Sequence, residues 1–382
     1  MGTSSILILG SGTQALAIIR SVKRAGHRVH LWAEDKGNYA GWSRYVDKFY
    51  KPRTKEVEDG FLTELQDYIK VNNIDALIPM GDSVAAFLSD HKEDLLPLAK
   101  YQAPCYSSFL AGYDKNMLMR LCQAKAYPHP ETLDLSRFTD VDCDEVGSFP
   151  FPAMLKPNRT TGGRGMRRVE SFEDLKACYE DLHKQYGDYH LQCFVQPGGR
   201  QIKVQLLVDS EGNLLQHSVI EKLRWYPVQG GSCSCACSIE NTEMVSICHS
   251  VIKDLNWNGF ADFDLIQDPE TGKFLIMEIN PRVPACIKGA IAAGMDWGEI
   301  LVNASLGLPL KTYIYKTGVI TRHLGFDTLW FLSSPERFSK RQHWFRLFGK
   351  NVHYQDMGDW TDPLPFFAGT FRNIGKLLLK KK

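Results

Sequence analysis

The sequence predicts a mixed α/β and α+β protein, in which a parallel sheet comes first and a largely antiparallel sheet follows. In the first 105 residues, short apolar runs alternate with helical segments, which is typical of parallel strands joined by helices. Beyond residue 190, strand-like runs follow one another with turn residues between them, which favours antiparallel pairing. A loop rich in glycine and cations, residues 157–166, lies between the two regions.

The first region begins with a predicted strand at Ser5–Leu9, a short apolar run of the kind that parallel sheets bury on both faces. Helical spacing follows over residues 15–25, with Gly26 as the predicted stop. Further strands are predicted at 28–33 and 74–79. This alternation of strand and helix predicts a Rossmann-like open parallel sheet.

The second region begins with a helix predicted over 115–126, and a strand at 153–156 leads into the glycine loop. Residues 268–272, Asp-Pro-Glu-Thr-Gly, are predicted to form a hairpin loop between two later strands. The later strands are predicted at residues 191–195, 202–208, 214–220, 260–267 and 274–279.

The predicted hairpin carries the strongest chemical signal. Alternate residues of a strand face the same way, so Glu278, Asn280 and Arg282 share one face if the extended conformation continues beyond the strand. Asp264, on the preceding strand, can lie opposite them. Two carboxylates and an amide oxygen suit Mg²⁺, and an arginine beside them can hold a phosphate or a carboxylate. The alternative is a solvated strand face with one ion pair.

Lys156 and the glycine loop carry the second signal. Glycines let backbone N–H groups approach phosphate oxygens, and the lysine adds a positive charge. The loop lacks the Gly-Lys-Ser/Thr of a Walker A motif. Taken alone it could be a mobile surface loop, but together with the acidic hairpin it favours a site for nucleotide phosphates.

These motifs resemble the ATP-grasp superfamily: Lys156 with its loop, the segment 192–195, the strand of Asp264 and the strand 277–282, in this order. The likeness is to carbamoyl-phosphate-synthase-like and D-aspartate-ligase-like carboxylate–amine ligases. It implies a Rossmann-like pre-ATP-grasp domain, a two-subdomain ATP-grasp fold and a C-terminal extension. The corresponding ranges are 1–110 for the first domain, 111–190 for the lysine and glycine-loop subdomain, 191–310 for the antiparallel-sheet subdomain with the metal site, and 311–382 for the extension.

The resemblance implies an ATP site. Its nucleotide-contacting residues would be Lys115, Lys156, Thr161, Gly162, Gly163, Gly165, Gln192, Phe194 and Val195. Thr161 and the glycines belong to a loop that closes over the phosphates, and the last three residues belong to the segment whose backbone reads adenine. Many relatives have an acidic residue at the position of Gln192. Because Gly199 is followed by Arg200 and Gln201 instead of Glu, no ribose contact is assigned.

Metal and catalytic roles are implied in the same way. The ligands of Mg²⁺, or of Mn²⁺, would be Asp264, Glu278 and Asn280. Arg282 matches the arginine near the transferred phosphate. Lys222 and Arg224 follow a predicted strand and alternate onto one face, and they would hold a phosphate of ATP or a substrate carboxylate. The alternative for these two cations is a solvated edge.

The chemistry that the resemblance implies is a two-step ligation of two small molecules, a carboxylate and an amine. The carboxylate attacks the γ-phosphate of ATP to give an acylphosphate, and the amine then displaces phosphate. The barrier is largely electrostatic, so Mg²⁺ and cationic side chains would neutralise the developing charge. Two alternatives stay open: phosphorylation of bicarbonate, as in carboxylases and carbamoyl-phosphate enzymes, and a non-catalytic ATP-binding module recruited to a membrane surface.

Two weaker patterns lie in the first region. Gly10-x-Gly12 matches part of a dinucleotide fingerprint, so it is compatible with an NAD-dependent oxidoreductase, with an anion site at a helix N-terminus, or with packing alone. The chain offers no evident hydride-transfer site. Asp82, after the third predicted strand, would either contact substrate or cap a helix.

The ten cysteines predict a reducing, cytoplasmic setting, because no secretion signal is recognised at the N-terminus. Cys233, Cys235 and Cys237 would face one way if they lie on a strand. Their sulfur atoms would then be too far apart for one tetrahedral zinc site, which favours small buried thiols.

Charge is balanced over the whole chain but concentrated at its C-terminus. The 45 Lys and Arg balance 44 Asp and Glu, which argues against a nucleic-acid partner, and no apolar run is long enough to span a membrane. Residues 311–382 carry 13 Lys and Arg against 5 Asp and Glu, mixed with aromatic side chains. This segment predicts a small domain with a basic face, or a surface for an anionic membrane or a lipid-linked acceptor. A homodimer is also expected, because the resemblance is to proteins that are commonly dimers.

Overall fold

The computed structural model of the chain describes residues 2–35, 39–55, 58–160, 162–228, 230–339, 344–356 and 359–379, with side chains as far as residue 372. Three sheets organise these residues: a parallel sheet of four strands, an antiparallel sheet of four strands and a mixed sheet of seven strands. The predicted α/β and α+β fold class is confirmed. In the described part of the chain, no helix is both long enough and apolar enough to cross a bilayer.

The N-terminal domain is built on the predicted parallel sheet. Its elements are β1 (Ser5–Leu9), α1 (Thr13–Arg24), β2 (Arg28–Trp32), a 3₁₀ turn (Ala40–Trp42), β3 (Lys48–Tyr50), α2 (Phe61–Asn72), β4 (Ala76–Pro79), α3 (Asp82–Asp90), α4 (Lys92–Leu95) and α5 (Tyr106–Tyr113). The strands lie in the order β3–β2–β1–β4. Ile6 and Ile8 pack with α1 on one face, whereas Leu7 and Leu9 pack with α2 and α3 on the other. Burial on both faces explains the continuous apolar run of β1.

A small subdomain with an antiparallel sheet follows. Its elements are α6 (Lys115–Ala124), β5 (Thr132–Asp134), a 3₁₀ turn (Leu135–Arg137), α7 (Asp144–Gly147), β6 (Ala153–Pro157), β7 (Arg167–Val169), α8 (Phe172–Tyr186) and β8 (Tyr189–Cys193). The strand order is β5–β8–β6–β7. The strand predicted at 191–195 therefore starts and ends two residues earlier, and it belongs to this small sheet.

The third sheet contains the predicted hairpin. The remaining elements are β9 (Gln201–Val208), β10 (Leu214–Tyr226), β11 (Ser232–Ile239), α9 (Thr242–Asp254), β12 (Gly259–Gln267), β13 (Phe274–Asn280), α10 (Ile287–Ala292), α11 (Trp297–Leu306), β14 (Ile320–Arg322), α12 (Leu324–Ser333), β15 (Val352–Tyr354) and α13 (Leu364–Leu379). The strand order is β13–β12–β9–β10–β11–β14–β15, and every pair is antiparallel except β14–β15. The antiparallel hairpin β12–β13 is confirmed.

The C-terminal segment, predicted from the sequence as an extension beyond the core, pairs with the seven-stranded sheet and contacts helix α1 of the N-terminal domain. β14 pairs with β11, and β15 pairs with β14, so this segment completes the seven-stranded sheet. Arg20 of α1 lies 3.0 Å from the Asp362 carboxylate, and both side chains are buried. The segment therefore links the N-terminal domain to the sheet that carries the hairpin.

Candidate nucleotide and metal site

Four charged side chains meet across neighbouring strands of the seven-stranded sheet. Asp264 on β12 stands opposite Glu278 on β13 and opposite Lys203 on β9. The ammonium groups of Lys203 and Lys222 lie 2.7 and 2.9 Å from the two oxygens of the Asp264 carboxylate. Cross-strand neighbours share one face of a sheet, so strand register assembles this cluster from distant parts of the chain.

Lys203 and Asp262 are site residues that the sequence patterns did not predict. Asp262 is fully buried, and its Oδ2 lies 2.6 Å from the Lys203 ammonium. Burial raises the pKa of Asp262 to about 6, although Lys203 opposes the rise. Burial also acts to raise the pKa of Asp264, but Lys203 and Lys222 outweigh it and hold that pKa below its usual range. A lysine inside the mostly apolar run 202–208 was the available signal.

The three predicted metal ligands lie close together, but they differ in how many of their oxygen atoms are already engaged by other side chains. Both oxygens of Asp264 accept hydrogen bonds from lysines. Asn280 donates a side-chain N–H to Asp264 at 3.1 Å, so its amide oxygen is the atom left for a metal ion. The Glu278 side chain is 32% exposed, and its carboxylate lies 3.3 Å from the Lys115 ammonium. Glu278 and Asn280 are therefore the more available ligands.

These oxygen donors fit a magnesium ion that arrives with a nucleotide. Within the residues that the structure describes, no three His, Cys, Asp or Glu side chains are grouped to hold a metal ion by themselves. Mg²⁺ is commonly bound through one or two carboxylates and completes its octahedron with waters and substrate phosphates. A carboxylate of Glu278 and an amide oxygen of Asn280 match that pattern.

Two lysines from the small subdomain reach toward the same place. Asp114 accepts hydrogen bonds from the backbone N–H groups of Asn116 and Met117, which fixes the start of α6 and puts Lys115 at its first position. The Lys115 ammonium donates to the carbonyl of Thr160 at 2.7 Å. Lys156 on β6 is buried, and burial lowers its pKa to about 8, a shift that Glu278 opposes and Lys115 reinforces.

In the glycine loop, one glycine is packed tightly against its neighbours and two have open space around them. A Cβ at Gly165 would lie 2.8 Å from the Tyr186 ring and 2.9 Å from the Pro157 ring, at a φ of +72°. Gly162 and Gly163 also have positive φ, but a Cβ there would meet nothing closer than 3.9 Å. Both are exposed, so their backbone is accessible to a ligand. Thr161, the fourth predicted loop contact, lies outside the described residues.

The predicted adenine-reading segment begins beside Lys156. The buried side chain of Gln192 accepts a hydrogen bond from the Lys156 ammonium and donates one to the Thr132 hydroxyl at 3.2 Å. Phe194 and Val195 follow β8 and are half-buried, and the guanidinium of Arg168 lies 4.3 Å from the centre of the Phe194 ring. Because the Gln192 side chain is a neutral amide, it accepts a hydrogen bond from the Lys156 ammonium but does not neutralise its positive charge.

Arg282 reaches the N-terminal domain. Its Nε lies 3.2 Å from Asp82 Oδ1, at the first residue of α3. Asp82 was predicted to contact substrate or to cap a helix, and α3 shows no side-chain cap hydrogen bond. The structure instead gives Asp82 a position beside the predicted phosphate-binding arginine.

Lys222 and Arg224 do not face the same group, contrary to the prediction from alternation. A β-bulge lies between Lys222 and Arg224 in the pairing of β10 with β11, and it breaks the two-residue period there. Lys222 contacts Asp264, whereas the buried guanidinium of Arg224 contacts both oxygens of Asp327 on α12, at 2.7 and 3.0 Å. Arg224 is therefore placed in a structural ion cluster, away from the acidic hairpin.

The other weak patterns have packing roles in the structure. Cys233 and Cys235 are buried on β11, and burial raises the pKa of both thiols. Cys237 on the same strand is half-buried, and none of the three is in a disulfide. At Gly10, a Cβ would lie 3.0 Å from Met80 Cβ, so this glycine permits close packing of two strand ends.

The sequence of the chain is similar to those of carbamoyl phosphate synthase large chains. Residues 124–312 match the sequence model of the family described as "Carbamoyl-phosphate synthase L chain, ATP binding domain". The chain is 24% identical over 324 residues to the carbamoyl phosphate synthase large chain of Clostridium acetobutylicum, an alignment that covers 80% of this chain and 29% of that protein. The chain thus spans less than a third of that relative's length.

Two solved structures share the fold. One is the biotin carboxylase domain dimer of the 2-oxoglutarate carboxylase of Hydrogenobacter thermophilus, in complex with MgADP, ADP and bicarbonate. It has a TM-score of 0.68 at 17% identity, over 84% of this chain and 74% of that chain. The other is an L-amino acid ligase from Bacillus licheniformis, with a TM-score of 0.62 at 13% identity, over 81% of this chain and 76% of that chain.

Proposed function

We propose that the chain is an ATP-grasp protein that acts as an ATP- and Mg²⁺-dependent ligase and joins a small carboxylate to an amine through an acylphosphate. The observation that carries the proposal is the meeting of two subdomains at Lys115 and Glu278. The ammonium of Lys115 on α6 lies 3.3 Å from the carboxylate of Glu278 on the hairpin. Lys156 is close enough to both for their charges to affect its pKa. Phosphates at this point would have cations on one side and metal donors on the other.

Phosphoryl transfer depends on this kind of convergence, because catalysis rests on positioning and charge neutralisation. Lys115 and Lys156 would bind phosphate oxygens, and the open backbone of the glycine loop would add N–H donors. The charge of these phosphates would be offset by a Mg²⁺ ion. Glu278 and Asn280 would hold that ion. Asp264 stays the third predicted ligand, although two lysines engage it.

The reacting groups would lie between the metal donors and Arg282. This arginine would orient the transferred phosphoryl group, with Asp82 fixing its guanidinium at 3.2 Å. Lys222 would favour the approach of an anionic substrate, because both carboxylate and phosphate carry negative charge. Arg224 is left out of this assignment, because its guanidinium is buried against Asp327.

The test measures release of ADP and phosphate from ATP and Mg²⁺ across amino acids, dicarboxylates and bicarbonate, each with and without amine acceptors. Release that needs both a carboxylate and an amine supports the ligase and identifies its substrate class. ATP binding without release in every mixture would contradict an enzyme and support a non-catalytic binding module.

Phosphorylation of bicarbonate is the second candidate. It is favoured by the likeness to a carbamoyl phosphate synthase and to a carboxylase domain whose structure contains bicarbonate. In the same panel, its mark is ATP turnover with bicarbonate in the absence of any other carboxylate. Turnover only with an amino acid or dicarboxylate would exclude it.

We also propose that a surface of the C-terminal segment meets anionic lipid, which would make the protein cytoplasmic and peripheral to a membrane. We define the apolar patch as Leu332, Phe338, Phe345 and Phe348, which lie within 17 residues of sequence and whose side chains are between 64% and 84% exposed. The patch is interleaved with cations, namely Arg337, Arg346 and Lys350. Aromatic rings enter the membrane interface and cations meet anionic headgroups.

Vesicle sedimentation tests this surface. The protein should pellet with vesicles that contain phosphatidylserine and remain free with phosphatidylcholine alone. The double variant Phe345→Ser and Phe348→Ser should lose this binding, whereas Val71→Ser, at an exposed valine of α2, should keep it. Equal binding by all three proteins would contradict the role of the patch.

A homodimer is the assembly we propose, by analogy with the dimeric biotin carboxylase domain that shares the fold. Sedimentation velocity of the full chain should give twice the mass of one 43.3 kDa chain. A monomer at all protein concentrations would contradict it.

A further inference from the structure

We propose that the ammonium group of Lys203 acts as a fixed cation of the nucleotide site, so that the chain binds one divalent cation with ATP, at Glu278 and Asn280. This inference rests on the proposed function, because it concerns the metal ion of the same site. It gives a role in the site to Lys203, which lies in none of the predicted motifs. It also changes the role of Asp264 from a metal ligand to a carboxylate that holds the Lys203 ammonium in place.

Strand register fixes the position of Lys203. It lies on β9, directly opposite Asp264 on the adjacent β12. Its ammonium lies 2.6 Å from Asp262 and 2.7 Å from Asp264, and only 10% of the side chain is exposed. Because strands flank β9 on both sides, the backbone at this position is held by two ladders of hydrogen bonds. The lysine cannot easily withdraw from the two carboxylates.

Asp264 has little capacity left for a metal ion. Its Oδ2 accepts hydrogen bonds from Lys203 and from the amide nitrogen of Asn280, and its Oδ1 accepts one from Lys222. A divalent cation on this carboxylate would have to displace an ammonium group from a buried site or lie beside it. Like charges at such a distance repel strongly where water is scarce.

Charge balance points to the same conclusion. The two carboxylates of Asp262 and Asp264 already face the two ammonium groups of Lys203 and Lys222. The remaining carboxylate of the cluster is Glu278, which is partly exposed and lies 3.3 Å from the Lys115 ammonium. The negative charge available to a divalent cation is therefore that of Glu278 and of the nucleotide phosphates.

The experiment counts metal ions directly. Mn²⁺ is titrated into the full chain with a saturating non-hydrolysable ATP analogue, and free Mn²⁺ is measured by electron paramagnetic resonance. We expect one bound Mn²⁺ per chain. Two would overturn this inference and leave the proposed function in place, whereas none would overturn the metal site of the proposed function and this inference with it.

Variants locate the ion and the lysine's role. Lys203→Met removes the ammonium group from Asp262 and from Oδ2 of Asp264, so this variant should bind a second Mn²⁺. Lys203→Arg keeps the charge and should bind one. A single Mn²⁺ in folded Lys203→Met would overturn the inference. Should Lys203→Met fail to fold, Asp264→Asn and Glu278→Gln decide: Glu278→Gln should weaken Mn²⁺ binding by about tenfold or more, as loss of a metal-site group commonly does. Asp264→Asn should keep the ion, and an equal loss there would contradict the inference.

Discussion

Two clusters of charged side chains lie on the seven-stranded sheet. One is buried and stabilises the fold, and the other is open to a ligand. In the structural cluster, Asp327 contacts Arg224 and Arg322, and all three side chains are 1–2% exposed. In the open cluster, Glu278 and Arg282 are 32% and 22% exposed. Both clusters use carboxylates and basic side chains. What distinguishes them is access for a ligand and the number of oxygen atoms that are still available to it.

The largest effect that this comparison predicts is on stability, in the structural cluster. Asp327→Ala would leave two buried guanidinium groups without their carboxylate, which costs about 3–5 kcal/mol of the free energy of unfolding. Urea denaturation should show a lower midpoint, with activity per folded molecule maintained. The matched control is Asp142→Asn, whose exposed ion pair with Lys176 should contribute about 1 kcal/mol or less. Equal costs for the two variants would erase the distinction between the clusters.

The next effect is on catalysis, in the open cluster. Glu278→Gln keeps the shape of the side chain but removes the charge that would hold Mg²⁺, so ADP release should fall by about 100- to 1,000-fold. The midpoint of thermal unfolding should hardly change, because this carboxylate is partly exposed. Glu270→Gln, in the exposed loop of the same hairpin, is the control and should keep full activity. A Glu278→Gln enzyme with normal turnover would contradict the metal assignment.

The electrostatics of the open cluster also predict a pH dependence of ATP binding. Burial lowers the pKa of Lys156 to about 8, so the free protein loses this charge as pH rises through 8. The phosphates favour the protonated form, and the affinity for ATP should therefore fall by about tenfold between pH 7 and pH 9. Calorimetric titration with a non-hydrolysable ATP analogue at each pH measures this affinity. Lys156→Arg stays charged and should flatten the profile, and an unchanged slope in that variant would assign the titration to another group.

The parts of the fold and site that could be predicted from the sequence are those with a local period. The face shared by Glu278 and Asn280 follows from alternation along one strand, and the start of α6 at Lys115 follows from an aspartate that caps it. The strand of β1 was evident because an apolar run ended at a glycine. In each case, residues a few positions apart decide the structure.

The parts that could not be predicted depend on contacts between distant segments. Lys203 meets Asp262 because β9 and β12 pair, although 59 residues separate the two side chains. Arg224 turns to Asp327 because a bulge interrupts β10, and no alternation rule foresees a bulge. The strand β14 has three residues, which is too short a run for a period to be recognised.

The smallest predicted effect lies at the border of the open cluster, where the N-terminal domain touches it. Asp82→Asn removes the charge that holds the Arg282 guanidinium at 3.2 Å, and kcat should fall by about tenfold, since small misplacements of reacting groups have large costs. KM for ATP should stay nearly constant, because Lys115 and Lys156 supply the ground-state contacts. Asp82→Glu should recover part of the rate, and Asp90→Asn, at the exposed end of α3, is the control. A raised KM with normal kcat would instead make Asp82 a substrate contact, and the open cluster would then extend into the N-terminal domain.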